Sequence, residues 1–257
     1  MSDADRVPVL AVRDLCRVFR RKGFDDAVAV EGASFEVYAG ECVGLVGESG
    51  SGKSTIARMV TRLIDVTSGQ VLLCGRDITR VRGAKRRAVY ESVQMVFQDP
   101  AGSFDPRRTL GAGIMEGPMN CGVDASEARR RALDLLARCG LPKDMMDRYP
   151  REVSGGQCQR AAIARALAMQ PDLLVCDEAT SALDVTVQRQ IVQLLDDIRC
   201  DTGMALLFIC HDLALVSQIC DRVVVMGQHR VVEVGPTVDV INNPQSEHTR
   251  RLLAAVL

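Results

Sequence analysis

Gly47-Glu48-Ser49-Gly50-Ser51-Gly52-Lys53-Ser54-Thr55 has the residue types and spacing that hold a chain of phosphates. Glycines at 47, 50 and 52 let backbone N–H groups curl around phosphate oxygens, where a Cβ would obstruct the approach. Lys53 is the only cationic side chain in the run, with the reach to neutralise the β- and γ-phosphates. The Ser54 hydroxyl is a ligand type suited to Mg²⁺. A second cluster is Asp177-Glu178, which follows the apolar run Leu173-Leu174-Val175-Cys176. Side chains alternate along a strand, so adjacent carboxylates point in different directions. One is then available to Mg²⁺ and the other to an attacking water. This makes Asp177 a candidate metal ligand and Glu178 the candidate general base. Gln98 and His211 each lie just beyond an apolar run, 92–97 and 204–210. Gln98 is expected to touch both Mg²⁺ and the attacking water, and His211 to hydrogen-bond the γ-phosphate and hold it in line.

The elements that must position these residues are readable as strands and helices. Cys42 to Val46 reads as a short buried strand and Thr55 to Ile64 as the helix after the loop; that helix N-terminus adds partial positive charge. Upstream, a strand begins at Val9, and 28–30 and 33–37 alternate like two antiparallel strands. Further strands are expected at 69–75, 92–97, 173–176 and 204–210, and a hairpin from 223–226 and 230–233. Helices are expected at 125–139, 157–169, 186–198 and 248–256; in the first, Ala128, Ala132, Leu135 and Leu136 recur at helical spacing. From Asp99 to about Arg151 no strand is visible. The fold class expected is therefore α/β. A phosphate-loop core with a mostly parallel sheet carries an N-terminal antiparallel β subdomain and an inserted helical subdomain. In residue terms the core spans 1–98 and 165–257 and the insert 99–164, one unit over 1–257.

Composition narrows the class. Hydrophobic residues make up 47% and charged residues 25% of 257, as in a soluble globular protein. A net charge of −1 argues against a general polyanion-binding surface, so no nucleic-acid partner is expected. The basic runs Arg20-Arg21-Lys22 and Lys85-Arg86-Arg87 read as solvated faces. No apolar run approaches the ~18 residues of a membrane span, and no signal peptide is visible at the start. The ten cysteines include no C-x-x-C pair; Cys42, Cys176 and Cys210 sit in apolar runs and act there as small hydrophobes in a reducing compartment.

The ordered set of motifs resembles the ATP-binding cassette (ABC) ATPases over essentially the whole chain. Val153-Ser154-Gly155-Gly156-Gln157 resembles that family's L-S-G-G-Q signature, and Ser181-Ala182-Leu183-Asp184 its D-loop. Gln98 resembles its Q-loop, His211 its H-loop, and Phe19 the aromatic residue that stacks on adenine, with Phe24 a weaker candidate. The resemblance implies ATP and Mg²⁺ as cofactors. It implies contacts to nucleotide from Phe19, from 47–55 and from Asp184, and, across a dimer of cassettes, from the signature residues Ser154, Gly155, Gly156 and Gln157. Ser154 with the amides of Gly155 and Gly156 forms an anion site at a helix N-terminus. Finer features resemble the peptide/nickel importer subfamily: 96–100 with Asp105-Pro106-Arg107, Arg148-Tyr149-Pro150, Asn243-Pro244-Gln245 and His248-Thr249-Arg250-Arg251-Leu252-Leu253. Two departures are Cys158, where that subfamily usually has Arg, and Val153 in place of Leu. The stop at Leu257 resembles the shorter nickel-type or phosphonate-type members. The expected role is the ATPase subunit of an importer at the cytoplasmic face of the membrane. Its expected partners are a second cassette and permease subunits, with an extracytoplasmic substrate-binding protein reached indirectly. The alternative is the cassette of a non-transport assembly such as a phosphonate-degradation complex.

Overall fold

The computed structural model describes residues 6–20, 26–180, 183–211 and 213–254. A six-stranded sheet carries the site. Its order is β10 (Arg230–Pro236), β9 (Arg222–Gly227), β3 (Cys42–Gly47), β8 (Ala205–Ile209), β7 (Leu173–Asp177) and β6 (Val93–Val96). The pairs β9/β3, β3/β8, β8/β7 and β7/β6 are parallel; only β10 runs antiparallel to its neighbour. The central strands are apolar at almost every position because both faces are covered. Alternate residues enter two different cores. Val43, Leu45, Val175, Leu207 and Val224 enter one; Cys42, Val46, Cys176, Phe208 and Val225 enter the other.

On the first face lie helix α1 (Lys53–Val60) and a four-stranded antiparallel sheet ordered β2 (Ala27–Val37), β1 (Leu10–Phe19), β4 (Ser68–Leu73) and β5 (Arg76–Asp77). The second face is covered by helices. Helix α2 (Lys85–Ser92) precedes β6 and buries Val89 in the first core; between β6 and β7 come α3 (Leu110–Asn120), α4 (Ala125–Arg138) and α5 (Gly155–Ala168), which bury apolar residues in the second. Helices α6 (Val185–Thr202), α7 (Leu213–Ile219), α8 (Thr237–Asn242) and α9 (Glu247–Ala254) follow. Helix α4 buries Ala128, Ala132, Leu135 and Leu136, the four residues that its periodicity singles out. The expected division at 164/165 falls inside α5, which packs on α3, α4 and β6.

Several elements differ from the sequence expectation. Segments 28–30 and 33–37 belong to one strand, β2, because Gly32 takes φ 62° and the ladder with β1 absorbs the irregularity as shifts in register. Helix α1 stops at Val60 rather than Ile64; the buried Arg62 turns the chain with φ 59°. Helices α2, α3, α7 and α8 are short or carry internal glycine and proline, Pro118 among them, and give no clear period. Of the basic runs, Lys85-Arg86-Arg87 begins α2, with Arg86 3.8 Å from Asp65 and Arg87 3.5 Å from Glu91; Arg21 and Lys22 lie outside the described residues. Cys42, Cys176 and Cys210 are buried, and none of the three forms a disulfide. No helix among the described residues is long and apolar enough to cross a membrane.

Phe208 is 1% exposed and fills the second core at the middle of the sheet. Phe208→Ala is expected to cost about 3–5 kcal/mol, read as a lowered midpoint in urea denaturation, because a close-packed site closes only partly over the void. A loss under about 1 kcal/mol would contradict this packing.

Candidate functional site

Parallel strands bring their C-terminal ends to one edge of the sheet. At that edge β3 leads into 47–55, β8 into His211, β7 into Asp177-Glu178 and β6 into Gln98, so the spatial order is loop, His211, Asp177-Glu178, Gln98. The four segments are separated by up to 164 residues in sequence and become neighbours only through the sheet order β3-β8-β7-β6.

The loop needs glycine where the backbone demands it. Gly47 and Gly52 have φ of 147° and 107°. A Cβ on Gly47 would lie 2.3 Å from the Met226 carbonyl oxygen, and one on Gly52 2.3 Å from that of Ala29. The loop is thus pinned between β9 and β2. Above Gly50, by contrast, a Cβ would meet nothing within 4 Å. Glu48, Ser49 and Gly50 are exposed, while Ser51 and Lys53 are buried.

Lys53 Nζ donates to the carbonyl oxygens of Gly47 (2.8 Å) and Glu48 (2.7 Å). Burial pushes its pKa below the usual lysine value, and the nearby Glu178 and Asp177 carboxylates oppose that shift. Ser54 Oγ donates to Asp177 Oδ1 at 2.9 Å. Burial raises the Asp177 pKa, and the Ser54 hydroxyl bond opposes the rise. The next residue turns away: Glu178 has φ 49°, an uncommon conformation for a residue with a Cβ, and its amide donates to Ile209 O at 3.0 Å. Its Oε2 accepts from Gln98 Nε2 at 2.7 Å, and its Oε1 lies 3.6 Å from His211 Nδ1. The two adjacent carboxylates therefore serve two different clusters; the left-handed turn at Glu178 separates them, because β7 ends at Asp177.

The residues present fit magnesium and a nucleotide phosphate chain. Ser51 Oγ is buried and lacks a partner, Lys53 bonds only carbonyl oxygens, and Ser54, Asp177 and Gln98 supply hard oxygen donors. No group of three or more His, Cys, Asp or Glu among the described residues is arranged to hold a metal ion, so a cation site here rests on those three side chains.

Other expected site residues lie apart from this edge. Ser154 caps α5: its Oγ accepts from Gln157 N at 3.2 Å, and Gln157 Oε1 accepts from Ser154 N at 2.9 Å. This reciprocal capping box leaves Ser154 and Gly155 on the surface, with Gly156 and Gln157 half-buried. Asp184 caps α6 by accepting from Val187 N at 3.0 Å and is also exposed. Phe19 ends β1 with 37% exposure, the Arg17 guanidinium carbon 4.4 Å from its ring centroid. Phe24, Ser181 and Ala182 lie outside the described residues. Cys158, in place of the usual Arg, is buried in the core, and Val153 packs against the same cluster.

Two positioning residues escape a reading of the sequence. Gln159 is 1% exposed and donates to the carbonyl oxygen of Phe97, the residue before Gln98, at 3.3 Å. Arg165 donates to Ser103 O and lies 4.4 Å over the Phe104 ring. Both project from α5 and fasten the segment 97–104. The one signal is polar side chains within an alanine-rich helix.

The chain matches the family model described as ABC transporter over residues 30–181, more than half its length. A protein of Brucella ovis with the provisional name of a peptide import ATP-binding protein is 44% identical over 250 residues, 97% of this chain and 78% of that one. The glutathione import ATP-binding protein GsiA of Escherichia coli K12 is 46% identical over 259 residues, 98% of this chain and 42% of GsiA. Among solved structures, the ATP-binding cassette MJ0796, in a dimeric post-hydrolysis state bound to ADP and Pi, superposes with a TM-score of 0.82 at 25% identity, covering 89% of this chain and 98% of that one. With the nucleotide-type edge and these relatives together, the chain belongs to the ABC transporter family and is an ATP-binding, ATP-hydrolysing cassette.

Proposed function

We propose that this cassette powers a membrane importer of peptide-like solutes, two cassettes closing around ATP and driving permease subunits from the cytoplasmic face of the membrane. The observation that carries the reading is the shared edge at which a glycine loop, a buried lysine, the Ser54–Asp177 pair and the Gln98–Glu178–His211 group converge. The names of the Brucella and E. coli relatives, a peptide and a glutathione import protein, favour peptide-like cargo over nickel.

In this reading the amides of 47–55 and Lys53 hold the phosphates, with Phe19 against the base. Ser54, Asp177 and Gln98 hold Mg²⁺, which when bound neutralises charge on the phosphate oxygens. Lys53 exchanges two loop carbonyls for phosphate oxygens; in a buried setting that charge acts strongly. The Glu178 carboxylate accepts a proton from the attacking water, and the Gln98 amide keeps it aimed. His211 donates toward the γ-phosphate. Ser154, Gly155, Gly156 and Gln157 present a helix N-terminus to the nucleotide of the second cassette, and Asp184 lines the same seam. The helical insert, expected at 99–164 but with its last helix α5 running on to Ala168, works as the part that moves against the core.

The permease contact is assigned to 99–104 and the adjoining groove of about 790 Å³, whose walls include Arg86, Tyr90, Glu91, Glu116, Asn120 and Arg165. Arg165 lines the groove and donates to Ser103 O, so it joins this surface to the segment that follows Gln98. Transported solute would meet a substrate-binding protein and the permeases, not this chain.

Lys53→Ala is expected to weaken ATP binding by about tenfold or more, the loss of charge-assisted bonds to phosphate. Equilibrium titration with a fluorescent ATP analogue, with turnover measured alongside, checks it; unchanged affinity and turnover would remove 47–55 from the site. For the partner, single cysteines placed along 99–104, in a chain whose exposed Cys74, Cys121 and Cys200 are serine, are expected to cross-link to co-purified permease. Cross-linking from β1 or β2 instead would move the docking surface to the antiparallel sheet.

A further inference from the structure

Helix α9 carries residues that the mechanism does not use, yet it abuts the strand that backs the nucleotide loop. The chain of contacts has two steps. Gly47 pairs with Met226 across the β3/β9 ladder, and the close approach of the Met226 carbonyl leaves no room for a side chain at 47. The next residue on β9, Gly227, lies against the His248 ring: a Cβ there would be 2.6 Å from Cδ2 and 2.8 Å from Cγ and Nε2. The ring's Nε2 is buried without a partner, so the ring is held by packing and not by a polar bond.

The helix itself is fastened. Thr249 and Leu253 are buried, and Glu233 of β10 accepts from the amides of Gln245 and Ser246 at 2.8 and 3.0 Å, fixing the entry to α9. One turn on, the Arg251 guanidinium pairs with Glu247 of the same helix. On the far side, His229 O accepts from Glu31 N at 2.8 Å, which ties the β9–β10 turn to β2, the other wall of the loop. The turn is thus held from two sides, by β2 and by α9.

We propose that His248 is a positioning residue for ATP binding: its ring, wedged against Gly227, sets the end of β9 on which Gly47 rests. It acts through Met226 and Gly227 and does not touch the nucleotide. The proposal rests on the reading of 47–55 as the phosphate loop.

Gly227 has no left-handed φ, so alanine there is opposed by the His248 ring and not by its own backbone. Gly227→Ala in the full-length chain is therefore expected to weaken mant-ADP binding by about tenfold, the usual scale of one added methyl in a filled site. Gly227→Ala with His248→Ala should recover to within about threefold of wild type, because the second change removes the obstructing ring. His248→Ala alone should bind about threefold more weakly with its nucleotide-free melting temperature unchanged, a split that a purely structural role would not produce. It also serves if Gly227→Ala fails to fold. Wild-type affinity in His248→Ala, or a double variant no better than Gly227→Ala, overturns the proposal. Lys53→Ala is the control: if it binds mant-ADP normally, the phosphate-loop reading has failed as well; if it loses binding while Gly227→Ala does not, only this inference fails.

Discussion

Covering both faces of one parallel sheet is the constraint on which the site depends. A strand buried on both sides must be apolar, and β3 and β8 are, as is β7 up to its last residue, Asp177. Polar chemistry is then possible only where a strand ends. Because these strands run parallel, their ends share an edge, and every polar residue that leaves the core there meets the others. Ser54 bonds Asp177 across 123 positions of sequence, and Gln98 bonds Glu178 across 80. Neither pairing would exist without the order β3-β8-β7-β6.

The same burial sets the electrostatics. Lys53 and Asp177 both lie where the charged form is disfavoured, and their pKa values shift in opposite directions, lysine down and aspartate up. In the proposed reading a phosphate chain and a divalent cation would add to the opposite charges that these two groups already place near one another. Binding energy is thereby drawn from relieving an unfavourable arrangement as well as from new contacts. Glu178 is treated differently: its positive φ swings it away from Asp177 and toward Gln98 and His211. A backbone strain of this kind persists only where the surroundings fix it, here through the Glu178 amide on Ile209.

Much of this was legible in the chain. Glycine-rich loops and acidic pairs after apolar runs are local patterns, and the strands carrying them are short and uniform enough to read. Helix α4 was legible because its four buried residues keep a strict period. The single strand β2 was not, because Gly32 looks like a turn and becomes a bulge only when β1 pairs across it. Helix α3 was hidden by its glycines and Pro118. Gln159, Arg165 and His248 were missed as positioning groups because their partners, Phe97, Ser103 and Gly227, are joined to them by tertiary packing alone. The sequence pattern locates chemistry at strand ends; it does not reveal which distant side chains hold those ends still.

Glu178 is proposed to handle the attacking water while its neighbour Asp177 serves the cation. Single-turnover phosphate release at saturating Mg-ATP, wild type against Glu178→Gln, tests it most directly. The amide keeps the shape and can still bond Gln98 but cannot take a proton. Release is expected to fall by about 10²-fold or more while ATP affinity is retained, the usual range for a lost general base. Release at the wild-type rate would contradict it.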